Sequence, residues 1–135
     1  MGLKDEEPDR HRAVWLFKQR MIAAEKLRAL CQQMEAYPQR KRRAPRARDF
    51  YDITAIVTEA SIDFASADFH TLVIQMFAAK EVPLSLLQKI PETRDFHLGD
   101  WPAVRDSILD RHQDFDYYFN FVSKEVKKLQ PLWKE

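Results

Sequence analysis

The chain has 135 residues, 45% hydrophobic and 32% charged, with a formal net charge of +1 and one cysteine. That length fits a single domain over residues 1–135 with a core of its own. No apolar run approaches the roughly eighteen residues of a membrane span, a lone cysteine excludes an internal disulfide, and the near-neutral total gives no whole-molecule steering to nucleic acid.

The first ten residues are polar, with no apolar stretch ahead of a cleavage site, and Glu6 stands where a myristoylation signal has Ser or Thr. A cytoplasmic location is the expectation. A first helix is predicted from about Ala13 to Met34. Its apolar residues Val14, Leu16, Phe17, Met21, Ala24, Leu27, Leu30 and Cys31 cover more than one stripe, so it reads as a central helix buried on more than one side. Cys31 fits a small buried thiol. Lys26 has Ile22 and Ala29 one turn to either side and Trp15 on the same side. Partial desolvation there would suit a point charge acting on phosphate. The same neighbours also suit a lysine whose stem lies on apolar surface while its ammonium reaches water.

Residues 37–48 read as a long loop, basic over 38–48: Arg40, Lys41, Arg42, Arg43, Arg46 and Arg48 occur with no acidic residue, leaving 16 basic against 21 acidic residues elsewhere. Such a segment can neutralise RNA phosphates without reading sequence. A solvated loop is the alternative, since Pro38 and Pro45 interrupt structure and no aromatic lies between Tyr37 and Phe50 to stack a base. A second helix is predicted from Asp49 to about Ala65. Phe50, Ile53, Val57, Ala60 and Phe64 share its core arc, and Asp49, Asp52, Glu59 and Asp63 share an adjacent acidic one. Asp49 and Asp52 are three residues apart, so both carboxylates can address one site, as an acceptor for a hydroxyl proton or a support for a phosphate-binding lysine. Equally, Asp49 can cap the helix and Asp52 can sit in the field of its N-terminus.

Downstream, Asp68 is the expected cap of a third helix through Ala79, Pro83 opens a short fourth, and Asp100-Trp101-Pro102 opens a fifth. A sixth spans about Asp114 to Leu129, its aromatic run reading as core. With only Gly2 and Gly99 in the chain, glycine-rich phosphate loops and tight hairpins are disfavoured. The fold class is therefore all-α, a compact bundle of about six helices. His11, His70, His97 and His112 show no metal-ligand spacing with one another or with Cys31.

Three stretches carry a family resemblance: Ile22-Ala23-Ala24-Glu25-Lys26-Leu27-Arg28-Ala29-Leu30, Arg46-Ala47-Arg48-Asp49-Phe50-Tyr51-Asp52-Ile53 and, more weakly, Phe77-Ala78-Ala79-Lys80-Glu81-Val82-Pro83-Leu84. They resemble the AEKLxAL, RxRDxYDL and FxxKG[IV]PL stretches in the C-terminal half of AbiEii/AbiGii-type toxin nucleotidyltransferases, over roughly residues 20–120. The resemblance implies a transfer site using Lys26 and Asp49, with Asp52 and a phosphate contact at Arg48. Arg40, Arg42, Arg43 and Arg46 would extend the phosphate-binding surface. It further implies transfer from an NTP, with Mg²⁺, to an RNA such as tRNA, and as partners a nucleotidyltransferase half or a cognate antitoxin. The family's Gly-Ser pair has no counterpart here, and the sole Asp-x-Asp, Asp114-Phe115-Asp116, lies in a helical pattern. Glu81 stands at the family's glycine. The expectation is thus a helical portion whose metal-binding half is absent, with Mg²⁺ and NTP relevant only when that half is present. A non-catalytic RNA-binding or protein-interaction module is the alternative.

Overall fold

A computed structural model describes residues 3–39 and 42–134. Among them are seven α-helices and no strand: α1 Leu3–Gln32, α2 Ala47–Ala60, α3 Ala67–Ala79, α4 Arg94–Leu98, α5 Trp101–Ser107, α6 Phe115–Val126 and α7 Gln130–Trp133. A 3₁₀ segment, Leu84–Glu92, follows Pro83, and a 3₁₀ turn, Lys127–Leu129, joins α6 to α7. The all-α bundle is as expected; the short α4 and α7 are additional to the predicted helices. None of the helices is long and apolar enough to cross a membrane among the described residues.

The C-terminal half of α1 lies across α3 and α2, α2 packs on α6, and the 3₁₀ segment closes against α6 and α7. Leu27, Phe50, Ile53, Phe64, Phe69, Phe77, Leu87, Ile90 and Phe115 fill the core with essentially no exposed surface. At roughly 1.5–3 kcal/mol for each large apolar side chain buried, this packing is the main force holding the helices together. The predicted core arc of α2 is realised, Phe50, Ile53, Val57 and Ala60 all being buried. The first helix differs. It begins ten residues earlier than expected, and where Trp15 and Leu16 pack partly buried against the core, Val14 and Phe17 stay half-exposed. Full burial along the helix starts at Ala23.

Helix ends depart from the expected ones at two places. Asp114 caps α6 by accepting from the Tyr117 N–H at 3.3 Å. At α3 the cap is Ser66, not Asp68; its hydroxyl accepts from the Phe69 N–H at 3.2 Å. The second helix ends at Ala60 rather than Ala65, because Ser61 turns left-handed (φ 51°) and the Ile62 N–H returns to the Val57 carbonyl. The acidic arc is consequently cut: Asp63 lies past the helix and accepts from the Ala65 N–H. Glu81, also left-handed (φ 55°), closes α3 with the Glu81 N–H on the Ala78 carbonyl and the Val82 N–H on that of Phe77. That geometry favours glycine, the residue found there in the resembled pattern.

Candidate functional site

Lys26 leaves α1 just where the helix enters the core, between buried Ala24 and Leu27. Helix α2 starts opposite it. The Lys26 Nζ donates to Asp49 Oδ1 and to Asp52 Oδ2, each at 3.2 Å. Two aspartates one turn apart on α2 therefore converge on one ammonium. The second oxygen of Asp49 accepts from Arg46 Nε, and Asp52 Oδ2 also lies 3.7 Å from Arg48 Nε. Arg48 reaches further, its Nη1 donating to Ser107 Oγ at 3.0 Å. Three cations thus surround two carboxylates.

Burial separates the two acids. The Asp49 side chain is 6% exposed, whereas Asp52 is 25% and Lys26 23% exposed. A carboxylate so enclosed requires its cationic partners, since an unpaired buried charge is strongly unfavourable. Lys26 opens onto a cleft of about 260 Å³ lined by Ile22, Glu25, Lys26, Arg28, Ala29 and Arg46. Arg28 reaches the Met76 carbonyl with Nη1 at 3.4 Å, and its Nε is buried without a hydrogen-bond partner.

The start of α2 is held from a distance, and not by its own aspartates. Arg46 occupies the cap position without a side-chain capping bond. Its backbone N–H donates to His97 Nδ1 at 2.9 Å, and the Ala47 N–H donates to Asp100 Oδ1 at 3.0 Å. Asp49 is thereby released from the capping role that its position also suits, and its oxygens serve Lys26 and Arg46. His97 is buried beside the rings of Phe50 and Phe96, with centroids 5.0 Å away. Burial drives its pKa down to about 4; Asp49 works against that shift, and Arg46 and Arg43 add to it. The imidazole is neutral at pH 7 and, because Nδ1 accepts, carries its proton on Nε2.

The basic segment is divided among several tasks. The Arg43 guanidinium lies 4.4 Å over the Phe96 ring, and its Nε donates to the Gln33 carbonyl at 2.8 Å. The Ala44 N–H donates to Gln33 Oε1 at 3.0 Å. Arg42 is exposed, Arg46 and Arg48 serve the aspartates, and Arg40 lies outside the described residues. Lys26, Asp49, Asp52, Arg46 and Arg48 are therefore gathered in one place, while Arg43 is engaged with Gln33 and Phe96 and Arg42 is exposed. Arg28, His97 and Asp100 were not picked out by sequence reasoning. Arg28 was within reach as a second cation in the Lys26 motif; nothing in the pattern ties His97 or Asp100 to Arg46 and Ala47.

The donor set does not fit a metal ion. Both oxygens of Asp49 and one of Asp52 face cations, and no group of three His, Cys, Asp or Glu side chains among the described residues is arranged to hold one. Such an arrangement suits an anion at the open side of Lys26. The Asp114–Asp116 pair is engaged elsewhere: Asp116 accepts from Arg94 Nε at 2.6 Å and Nη2 at 3.2 Å at the surface.

Compared with known families, residues 5–121 match the model described as nucleotidyl transferase AbiEii toxin, type IV TA system. No curated protein and no solved structure matches the chain.

Proposed function

Because the chain belongs to the AbiEii family of nucleotidyl transferase toxins, we propose that Lys26, Asp49 and Asp52 are its contribution to a site that moves a nucleotide from an NTP to an RNA end, tRNA being the acceptor. The observation that supports this is the Lys26 ammonium, 3.2 Å from both carboxylates and partly open to a cleft. Asp49 holds the ammonium in place, and the open side of that ammonium receives a triphosphate oxygen. Asp52, the more accessible acid, accepts the proton of the attacking RNA hydroxyl as its oxygen bonds to phosphorus and pyrophosphate departs. Arg46 and Arg48 restrain the aspartates and add positive charge for phosphate, and the exposed Arg42 and Arg43 add further positive charge on the loop before α2.

Mg²⁺ belongs, in this reading, with the NTP and with a nucleotidyltransferase half that carries the Gly-Ser and Asp-x-Asp elements; the residues here supply no place for it. A type IV toxin–antitoxin setting also implies a cognate antitoxin as partner. The test is transfer of labelled nucleotide from each of the four NTPs, with Mg²⁺, onto total tRNA, by this chain alone and with a nucleotidyltransferase half added. Transfer is expected only in the combined reaction and should fall on the order of 10²-fold or more in Lys26→Ala. Full transfer by that variant overturns the assignment.

A second reading, a non-catalytic RNA-binding module, is favoured by the exposure of Arg42, Arg43 and Arg48 on one segment. It predicts RNA binding that weakens steeply with salt, survives Lys26→Ala and disappears when those arginines are neutralised.

A further inference from the structure

The loop that delivers Arg46, Arg48 and Asp49 has no cap of its own at the point where it becomes helix. Two side chains more than fifty residues downstream take the backbone donors of consecutive residues: His97 Nδ1 from Arg46 and Asp100 Oδ1 from Ala47. They come from opposite ends of one short connection, His97 from α4 and Asp100 from the residue preceding α5. Donors held at 2.9 and 3.0 Å by a buried ring and a partly buried carboxylate define the direction in which α2 starts. One residue further on, Arg48 is tied to the same region through Ser107 of α5. The start of α2 is thus clamped by the α4–α5 connection on one side, while its aspartates face Lys26 of α1 on the other.

We propose that His97 and Asp100 are positioning residues of the nucleotidyl transfer site, a two-point acceptor clamp that holds the Arg46–Ala47 backbone so that Asp49 and Arg46 meet Lys26. This rests on the site reading given above. The clamp acts through Asp49 and touches neither nucleotide nor RNA. His97 suits the role because a neutral imidazole offers one acceptor at Nδ1 without adding charge to the buried turn. Its Phe50 and Phe96 neighbours restrict the ring as well, since a fixed acceptor requires a fixed plane.

The experiment compares wild type, His97→Phe, His97→Asn and Asp100→Ala in the full chain by amide hydrogen exchange, and then in the combined tRNA transfer reaction. His97→Phe keeps a ring in the core and removes the acceptor; His97→Asn returns an acceptor near the place of Nδ1. Exchange at Arg46 is expected to rise about tenfold or more in His97→Phe and to recover in His97→Asn, with Ala47 behaving likewise in Asp100→Ala. Amides in the middle of α2, such as Val57, should not change. Transfer should fall at least about tenfold in kcat in His97→Phe and return in His97→Asn, a rescue that a purely structural role for the ring would not produce.

Unchanged exchange at Arg46 and Ala47 overturns the clamp, as does full transfer by a variant whose exchange there has risen. Should His97→Phe fail to fold, Asp100→Ala decides the matter on the same two readouts. Retention of full transfer by Lys26→Ala would instead overturn the site reading, while the exchange data would still report whether His97 and Asp100 hold the turn.

Discussion

The starts of α2 and α6 look alike in the sequence and do opposite things in the fold. Each brings two aspartates within a few residues and an aromatic next to the first of them. At α6 the acids act locally: Asp114 caps the helix, and Asp116 pairs with Arg94 at the surface. At α2 neither Asp49 nor Asp52 caps anything, because His97 and Asp100 have taken over the neighbouring backbone donors. Both acids are then free to address Lys26. An aspartate at a helix start is available for other chemistry when distant residues satisfy the backbone in its place.

The sharpest way to break this contrast is Lys26→Ala. With the ammonium gone, Asp49 keeps Arg46 as its remaining cation, and stability measured by urea unfolding should fall by about 1–3 kcal/mol, alongside the loss of transfer. An unchanged unfolding midpoint would mean that Asp49 needs no cation from α1.

A comparable effect is expected from acid. His97 titrates at about 4 when folded, against 6.5 ordinarily, so between those values the unfolded chain takes up a proton that the folded chain refuses. Stability should therefore be unaffected by His97 above pH 6.5 and decline as pH falls toward 4, by about 3 kcal/mol in all. The difference in unfolding free energy between wild type and His97→Asn, followed across that range, isolates the contribution. A difference that does not vary with pH would contradict burial of a neutral ring beside Arg43 and Arg46.

At the other helix start the effects should be smaller. Asp114→Ala removes an ordinary cap and should cost about 1 kcal/mol, with transfer by the combined enzyme unchanged. Asp116→Asn, at an exposed pair, should not move the unfolding midpoint measurably. A loss of transfer in either variant would mean that the α6 acids reach the site after all, and would erase the contrast.

Much of the fold was legible because it follows from spacing along single helices. The arc Phe50, Ile53, Val57 and Ala60 needs only the helical period to be seen, and Asp114 needs only its own next turn. Glu81 is instructive in another way: the glycine expected at its position reflects a left-handed backbone, which is present even though the side chain is not glycine. What proved misleading also has a local cause. Val14 and Phe17 have the pattern of core residues and are half-exposed, because periodicity states only which residues share a face and not how much of that face a neighbour covers.

The same division runs through the site. Sequence by itself determined the all-α class, the helical order, and the motif pair that marks Lys26 and Asp49, since propensity, period and short motifs are properties of contiguous residues. Tertiary structure alone decided that Lys26, Asp49 and Asp52 form one cluster and that His97 and Asp100 accept from the backbone at the start of α2. These contacts join residues 23 to 53 positions apart. Their geometry depends on how α1, α2 and the α4–α5 connection pack, and packing is settled by the shape of the whole core rather than by any one stretch of chain.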